Sequence, residues 1–124
     1  MNGQQAVEGL TMKIFEVADT GSIPVGTMKK VSIEGVRILV ANIGGSFYAL
    51  PDRCPHMGGS LSDGKLVDGR ICCPNHGSCF DIRTGKNVEG AKMFLVRKKV
   101  ADIVPLSVQL KGTKIFVEID PPRL

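Results

Sequence analysis

The chain has 124 residues, of which 43% are hydrophobic and 23% are charged, and its formal net charge at pH 7 is +4. This length indicates a single domain that buries a core without disulfide support. No apolar run approaches the roughly 20 residues of a membrane span, and the opening MNGQQAVEGL lacks the basic and apolar regions of a secretory signal. We therefore expect a cytoplasmic protein with no membrane anchor.

The positive charge is concentrated toward the end of the chain. Residues 81–124 carry nine Lys/Arg and five Asp/Glu, whereas residues 1–80 carry seven of each. The densest point is Arg97-Lys98-Lys99. Such a run is usually a solvated face, and the alternative is a docking surface for an acidic protein partner. Nucleic acid is not expected, because the excess is small and one Tyr and five Phe offer little base stacking.

Strand patterns dominate both ends of the sequence. Residues 12–19 alternate apolar and polar side chains. Residues 28–50 predict three short strands separated at Glu34-Gly35 and Gly44-Gly45, which are hairpin signals. Residues 104–119 predict another hairpin that turns at Lys111-Gly112. The pattern favours an all-β protein.

The middle of the chain has a different character. Residues 51–90 contain seven of the 15 glycines, all four cysteines and both histidines, which indicates loops held in fixed shapes. Residues 91–100 fit either a helical turn or a strand. We predict one domain, 1–124, in which 12–50 and 91–120 form a basal β region and 51–90 form an inserted lobe that carries the chemistry.

Both histidines lie within three residues of a cysteine. Cys54 and His56 form a C-x-H unit, and Cys73 and His76 form a C-x-x-H unit. Two thiolates and two imidazoles suit either a structural zinc ion or a [2Fe–2S] cluster with Cys₂ on one iron and His₂ on the other. A usual zinc finger places both cysteines first, whereas here each half supplies one of each. That division favours a two-iron cluster clamped between two loops.

The two loop segments, CPHMGGSLSDG (54–64) and CPNHGSCFDIRTG (73–85), closely resemble the cluster-binding loops of Rieske iron–sulfur proteins. The resemblance covers about residues 13–120, with a longer stretch than usual around 88–104. It implies a small antiparallel β sandwich or barrel with an inserted cluster-binding subdomain. It also assigns Cys54 and Cys73 to the inner iron of one [2Fe–2S] cluster, and His56 and His76 to the outer iron.

The departures from the respiratory branch of that family are equally informative. Gly59 and Asn75 stand where that branch has two loop-bridging cysteines, and Phe80 replaces a tyrosine that donates to the inner cysteine sulfur. The resemblance gives Ser78 a hydroxyl beside a bridging sulfide, and places Met57 and Gly58 around the cluster. Pro55, Met57, Leu61 and Pro74 are expected to form an apolar docking rim. The potential should lie in the lower or middle part of the Rieske range of roughly −150 to +300 mV.

These features predict an electron carrier and not an enzyme. The sequence has no G-x-G-x-x-G nucleotide motif, and both histidines are committed, so no 2-His-1-carboxylate iron site remains. The expected partners are a reductase and an oxygenase or other terminal acceptor. The alternatives are a small Rieske subunit of an oxidoreductase such as assimilatory nitrite reductase, and a structural zinc module.

Two cysteines remain outside the predicted ligand set. Cys72 precedes Cys73 on a strand, so its side chain should face the other way, and we expect a small buried hydrophobe in the core. Cys79 is expected to be a second non-ligand. A Cys72–Cys79 disulfide is the less favoured alternative.

Overall fold

The computed structural model describes residues 13–55, 59–93 and 95–119. Twelve strands and two short 3₁₀ turns make up the elements of this part of the chain. Within it, no helix has the length and hydrophobicity needed to cross a membrane. The twelve strands confirm the all-β prediction.

The first sheet is a three-stranded antiparallel meander. Strands β2 (Met28–Ile33), β3 (Val36–Ile43) and β4 (Ser46–Pro51) pair in chain order. Both predicted turns are present, and Glu34 and Gly35 have φ of 52° and 81°. Positive φ at both central residues matches the right-handed twist of the flanking strands, which explains the glycine at position 35.

Strand β3 lies between two core clusters. Its residues Ile38 and Val40 pack in one cluster, and the alternating Leu39 and Ala41 pack in the other. Since successive side chains point to opposite faces, a strand buried on both faces has a continuous apolar sequence, as Ile38–Ala41 does.

The second sheet covers one face of β3. It has the order β1–β12–β11, built from β1 (Lys13–Asp19), β11 (Val108–Lys111) and β12 (Lys114–Ile119). Residues Ile115, Val117 and Ile119 alternate along β12 and pack in the cluster with Ile38 and Val40. The first 3₁₀ turn, Thr20–Ser22, follows β1 and is capped by the Asp19 side chain.

The third sheet lies in the loop-rich part of the chain. It is an antiparallel four-stranded sheet of β5 (Lys65–Val67), β6 (Arg70–Cys72), β7 (Cys79–Asp81) and β8 (Asn87–Glu89). The second 3₁₀ turn, Leu61–Asp63, precedes it. In the third sheet, Ile71 and Phe80 are fully buried in the cluster that also contains Leu39. The four strands are only three residues long, so the loops between them dominate this region.

The segment 91–100, which fitted a helical turn or a strand, forms a hairpin over residues 91–98. Strands β9 (Ala91–Met93) and β10 (Val96–Lys98) pair antiparallel. Ala91 is fully buried and packs in the same cluster as Leu39. A Cβ on Gly90 would overlap the backbone carbonyl of Lys98, so the base of the hairpin is closed tightly.

The chain that follows the hairpin connects the third sheet to the rest of the molecule. Ile103 N–H donates to the Gly85 carbonyl at 2.7 Å, and Leu106 N–H donates to the Ala49 carbonyl at 2.9 Å. A Cβ on Gly85 would collide with the Ile103 carbonyl, and Gly85 has φ of 76°. Glycine is therefore required at this crossing for both reasons.

Candidate metal centre

The first loop positions Cys54 just after β4. Its side chain is 1% exposed, and its N–H donates to the Gly59 carbonyl at 2.7 Å. This bond closes the short loop from Cys54 to Gly59. His56, Met57 and Gly58 lie outside the described residues, so their predicted roles stay predictions.

A buried carboxylate fixes the same loop. Asp52 is fully buried and accepts hydrogen bonds from the Ser62 N–H at 2.7 Å, the Ser62 hydroxyl at 2.6 Å and the Ser60 hydroxyl at 2.8 Å. A buried carboxylate is stable only when its oxygens have partners of this kind. Asp52 therefore holds the segments on both sides of the Cys54 loop together. Sequence reasoning missed it, although an Asp two residues before a predicted ligand and two serines after that ligand were a visible signal.

The second loop is the turn between β6 and β7. Cys73 N–H donates to the Ser78 carbonyl at 2.8 Å, and Gly77 N–H donates to the Cys73 carbonyl at 3.2 Å. Gly77 has φ of 72°, a conformation that glycine adopts without strain. The carbonyl of His76 accepts from Lys92 N–H at 2.8 Å, which attaches the β9–β10 hairpin to this loop.

The two loops bring their cysteines and a serine together. Burial raises the pKa of the Cys73 thiol, and its interaction with the Cys54 side chain raises that pKa further, while hydrogen bonds from the N–H groups of Asn75 and His76 act in the opposite direction. The Cys54 sulfur lies 3.6 Å from the Ser78 hydroxyl oxygen, and Ser78 is fully buried. Two adjacent buried thiols with N–H and O–H donors around them form a site suited to thiolate ligation.

Gly59 and Asn75, where the respiratory branch has its bridging cysteines, face each other across the two loops. A Cβ built on Gly59 would lie 2.9 Å from Nδ2 of Asn75. The structure thus places these two positions in contact even though neither holds a cysteine.

The expected apolar rim is partly wrong. Leu61 is fully buried in the core cluster that contains Cys54 and Cys73, because it begins the 3₁₀ turn that packs under the site. Pro55 and Pro74 are exposed, as a rim requires.

The prediction for Cys72 is also wrong. Cys72 is half-buried and forms a disulfide with Cys79. The two residues are direct partners in the β6–β7 ladder, so their side chains share one face of the sheet, opposite to the neighbouring Ile71. A hairpin register with the turn centred on residues 75–76 would have indicated the pairing from the sequence. Cys54 and Cys73 take no part in this disulfide.

Three of the four predicted donors lie in the described residues, and their chemistry fits a Rieske cluster. Cys54 and Cys73 supply two buried sulfurs from two loops, and the Nδ1 atom of His76 is buried on the second loop. Within the described ranges, no three His, Cys, Asp or Glu side chains form a metal-binding group. A family model, the Rieske [2Fe-2S] domain, matches residues 13–102.

The chain belongs to the Rieske [2Fe-2S] domain family. This membership confirms the predicted family and the predicted cofactor, one [2Fe–2S] cluster, over structural zinc. The cluster supplies a reversible one-electron couple when it is bound.

Two curated relatives of this Rieske domain differ in how much of their length the match covers. Mouse apoptosis-inducing factor 3 is 43% identical over 94 residues, which are 76% of this chain but 16% of that protein. The ferredoxin component of biphenyl 2,3-dioxygenase from Rhodococcus jostii is 31% identical over 112 residues, which are 88% of this chain and 95% of that protein. The domain thus spans a minor part of the first relative and nearly the whole of the second.

A solved structure shares the fold of this Rieske domain. The ferredoxin of carbazole 1,9a-dioxygenase from Nocardioides aromaticivorans IC177 is 26% identical and superposes with a TM-score of 0.71. The match covers 85% of this chain and 96% of that ferredoxin. The predicted Rieske-type antiparallel β architecture is confirmed by this likeness.

Proposed function

We propose that this protein is a one-electron carrier that takes electrons from a reductase and gives them to an oxygenase. The observation that carries the proposal is the paired burial of Cys54 and Cys73 on two loops, with the Ser78 hydroxyl 3.6 Å from the Cys54 sulfur. The near-complete match to a dioxygenase ferredoxin component supports a carrier over a catalytic subunit.

In this proposal Cys54 and Cys73 hold the inner iron, and His56 and His76 hold the outer iron. The buried sulfurs lie among apolar core residues such as Leu39 and Phe80, so water is kept from that side. His76 is only half-buried, and this exposure makes the imidazole side of the site the exit for an electron. Gly58, Met57 and Ser78 would surround the cluster, with Ser78 donating to sulfur.

Iron and sulfide analysis tests the ligand set. The purified protein should contain two iron and two acid-labile sulfide per chain, as one cluster requires, and be red-brown. Nitrogen hyperfine coupling in the electron paramagnetic resonance spectrum of the reduced protein should report two imidazoles. Cys73→Ala and His56→Ala should each lose the colour. A colourless protein that contains zinc would overturn the proposal.

A reconstitution assay tests the carrier role. Reduction by NADH should require a reductase, and the reduced protein should support turnover of an oxygenase component. A cytoplasmic location belongs to the same proposal and is checked by cell fractionation.

A small subunit of a larger oxidoreductase is the second candidate. Leu95 is fully exposed at the end of the β9–β10 hairpin, as an interface residue would be in an isolated chain. Copurification of a larger chain from native cells would favour this candidate over a free carrier.

A further inference from the structure

A cavity lies beside His76, next to the proposed electron exit. Its volume is about 440 Å³, and Asn75, His76, Gly77, Lys92 and Arg97 line it. Two of the five lining residues, Lys92 and Arg97, are basic, and none of the five is acidic. A cavity of this composition favours a negatively charged group.

The β9–β10 hairpin forms the basic wall of the cavity and is fixed to the site. Lys92 N–H donates to the His76 carbonyl at 2.8 Å, so Lys92 is anchored by its backbone to the residue it flanks. Arg97 donates to the Gly90 carbonyl at 2.7 Å and lies 3.6 Å from a carboxylate oxygen of Glu89. These contacts hold the Arg97 guanidinium in place, whereas Lys92 is exposed and takes part in none of the ion pairs found among the described residues.

The outer end of the same hairpin is apolar. Leu95 is 100% exposed and Val96 is 67% exposed, and exposed Lys98 and Lys99 follow them. Exposed apolar side chains ringed by charge are typical of a protein–protein interface, where an apolar centre is buried and a charged rim steers association.

We propose that this cavity and hairpin are the docking site for an acidic protein partner, which inserts a carboxylate between Lys92 and Arg97 and covers Leu95. The inference rests on the proposed carrier function and adds the place and the charge of the partner. In the docked complex one electron leaves the reduced protein beside His76 and reduces the partner's acceptor, so each protein changes by one electron.

Small oxidants of opposite charge test the electrostatic part. The dithionite-reduced protein is mixed in a stopped-flow instrument with ferricyanide or with hexaammineruthenium(III) at about 0.1 M ionic strength, where the Debye length is about 10 Å. Lys92→Glu should lower the rate of oxidation by ferricyanide about tenfold and raise the rate of oxidation by the ruthenium complex. The matched control Lys13→Glu changes the net charge equally, on the exposed β1 strand, and should change both rates less than about twofold.

Competition tests the kind of partner. Poly-L-glutamate should slow the oxidation of the wild-type protein by ferricyanide, and it should slow the oxidation of Lys92→Glu less. At equal charge concentration it should slow oxidation of the wild-type protein more than duplex DNA does. Leu95→Ser should slow electron transfer to an oxygenase component more than it slows transfer to either small oxidant.

The failures of the two proposals are distinguishable. A protein without a visible, reducible cluster contradicts the carrier function. A reducible protein in which Lys92→Glu and Lys13→Glu behave alike contradicts the docking site, and stronger protection by DNA than by poly-L-glutamate contradicts the acidic protein partner.

Discussion

The Cys54 sulfur and the Ser78 hydroxyl oxygen are 3.6 Å apart, and both side chains are buried. They come from different loops, 24 residues apart in the sequence. The contact therefore depends on the fold holding the two loops at a fixed distance from each other. It also places a hydroxyl next to the sulfur of a proposed iron ligand, where it can donate to a thiolate.

Ser78→Ala should lower the reduction potential. A hydrogen bond to a cluster sulfur favours the reduced, more negative state. Removing one charge-assisted bond of about 1.5 kcal/mol corresponds to about 60 mV for one electron. Voltammetry measures the shift, and Ser46→Ala, on an exposed residue of β4, is the control. Equal potentials for wild type and Ser78→Ala would show that the hydroxyl does not act on the cluster.

Asp52→Ala should weaken both the fold and cluster retention. The change leaves the Ser62 N–H and the hydroxyls of Ser60 and Ser62 without their shared acceptor, at a cost of about 3 kcal/mol. Denaturant unfolding and iron content after dialysis are the two readouts. Asp63→Ala removes an exposed carboxylate from the same segment and should change the unfolding free energy by less than about 0.5 kcal/mol.

Cys72→Ser and Cys79→Ser should each lower stability while keeping the cluster. The disulfide spans seven positions, and a loop this short implies about 2 kcal/mol. The unfolded, iron-free wild type should show two of its four cysteines as thiols before reduction and all four afterwards. Loss of colour in Cys72→Ser would contradict its assignment outside the ligand set. Trapping thiols in intact cells would also report the compartment, because such bonds are rare in a reducing cytosol.

The double substitution Gly59→Cys/Asn75→Cys should create a disulfide between the two loops. A Cβ at position 59 already lies within contact distance of the Asn75 side chain. An oxidised double variant should lose iron more slowly to a chelator than the wild type, and the advantage should vanish after reduction with dithiothreitol. Unchanged thiol counts would show that the Cβ directions do not permit a bond.

Low pH should weaken the hydrogen bonds that the Asp19 carboxylate accepts at the end of β1. Hydrogen bonds from the Gly21 N–H and the Thr113 hydroxyl, with the Lys114 charge, lower the pKa of Asp19 below its ordinary value of 3.8. A depressed pKa stabilises the folded state above the unfolded pKa, and this contribution is lost as pH falls through the folded pKa. The difference in Tm between wild type and Asp19→Asn should be constant above about pH 5 and shrink below about pH 4. A constant difference across this range would contradict the assignment.

Local patterns predicted much of the fold. Alternation and Gly-containing turns gave β2, β3, β4 and the β11–β12 hairpin, since these depend on residues near one another in the chain. The pairing of β1 with β12 and the crossing of Gly85 by Ile103 depend on distant segments, and no periodicity reveals them.

Site residues were predicted where chemistry restricts the choice. Few side chains bind iron, so the Cys and His spacing was sufficient to propose ligands. Asp52 and Lys92 act through hydrogen bonds that only the folded loops create. Alternation along the strand predicted the wrong role for Cys72, because that role depends on Cys79, its partner across the β6–β7 ladder.

The β9–β10 hairpin joins the site through the Lys92–His76 backbone bond and the buried Ala91. Neither anchor depends on the exposed side chains at positions 95–99. Those side chains are therefore free to diverge during evolution without disturbing the sulfur environment of Cys54. A lineage could adapt the proposed carrier to a new acceptor by replacing a few residues of this hairpin, without a change in the reduction potential of its cluster.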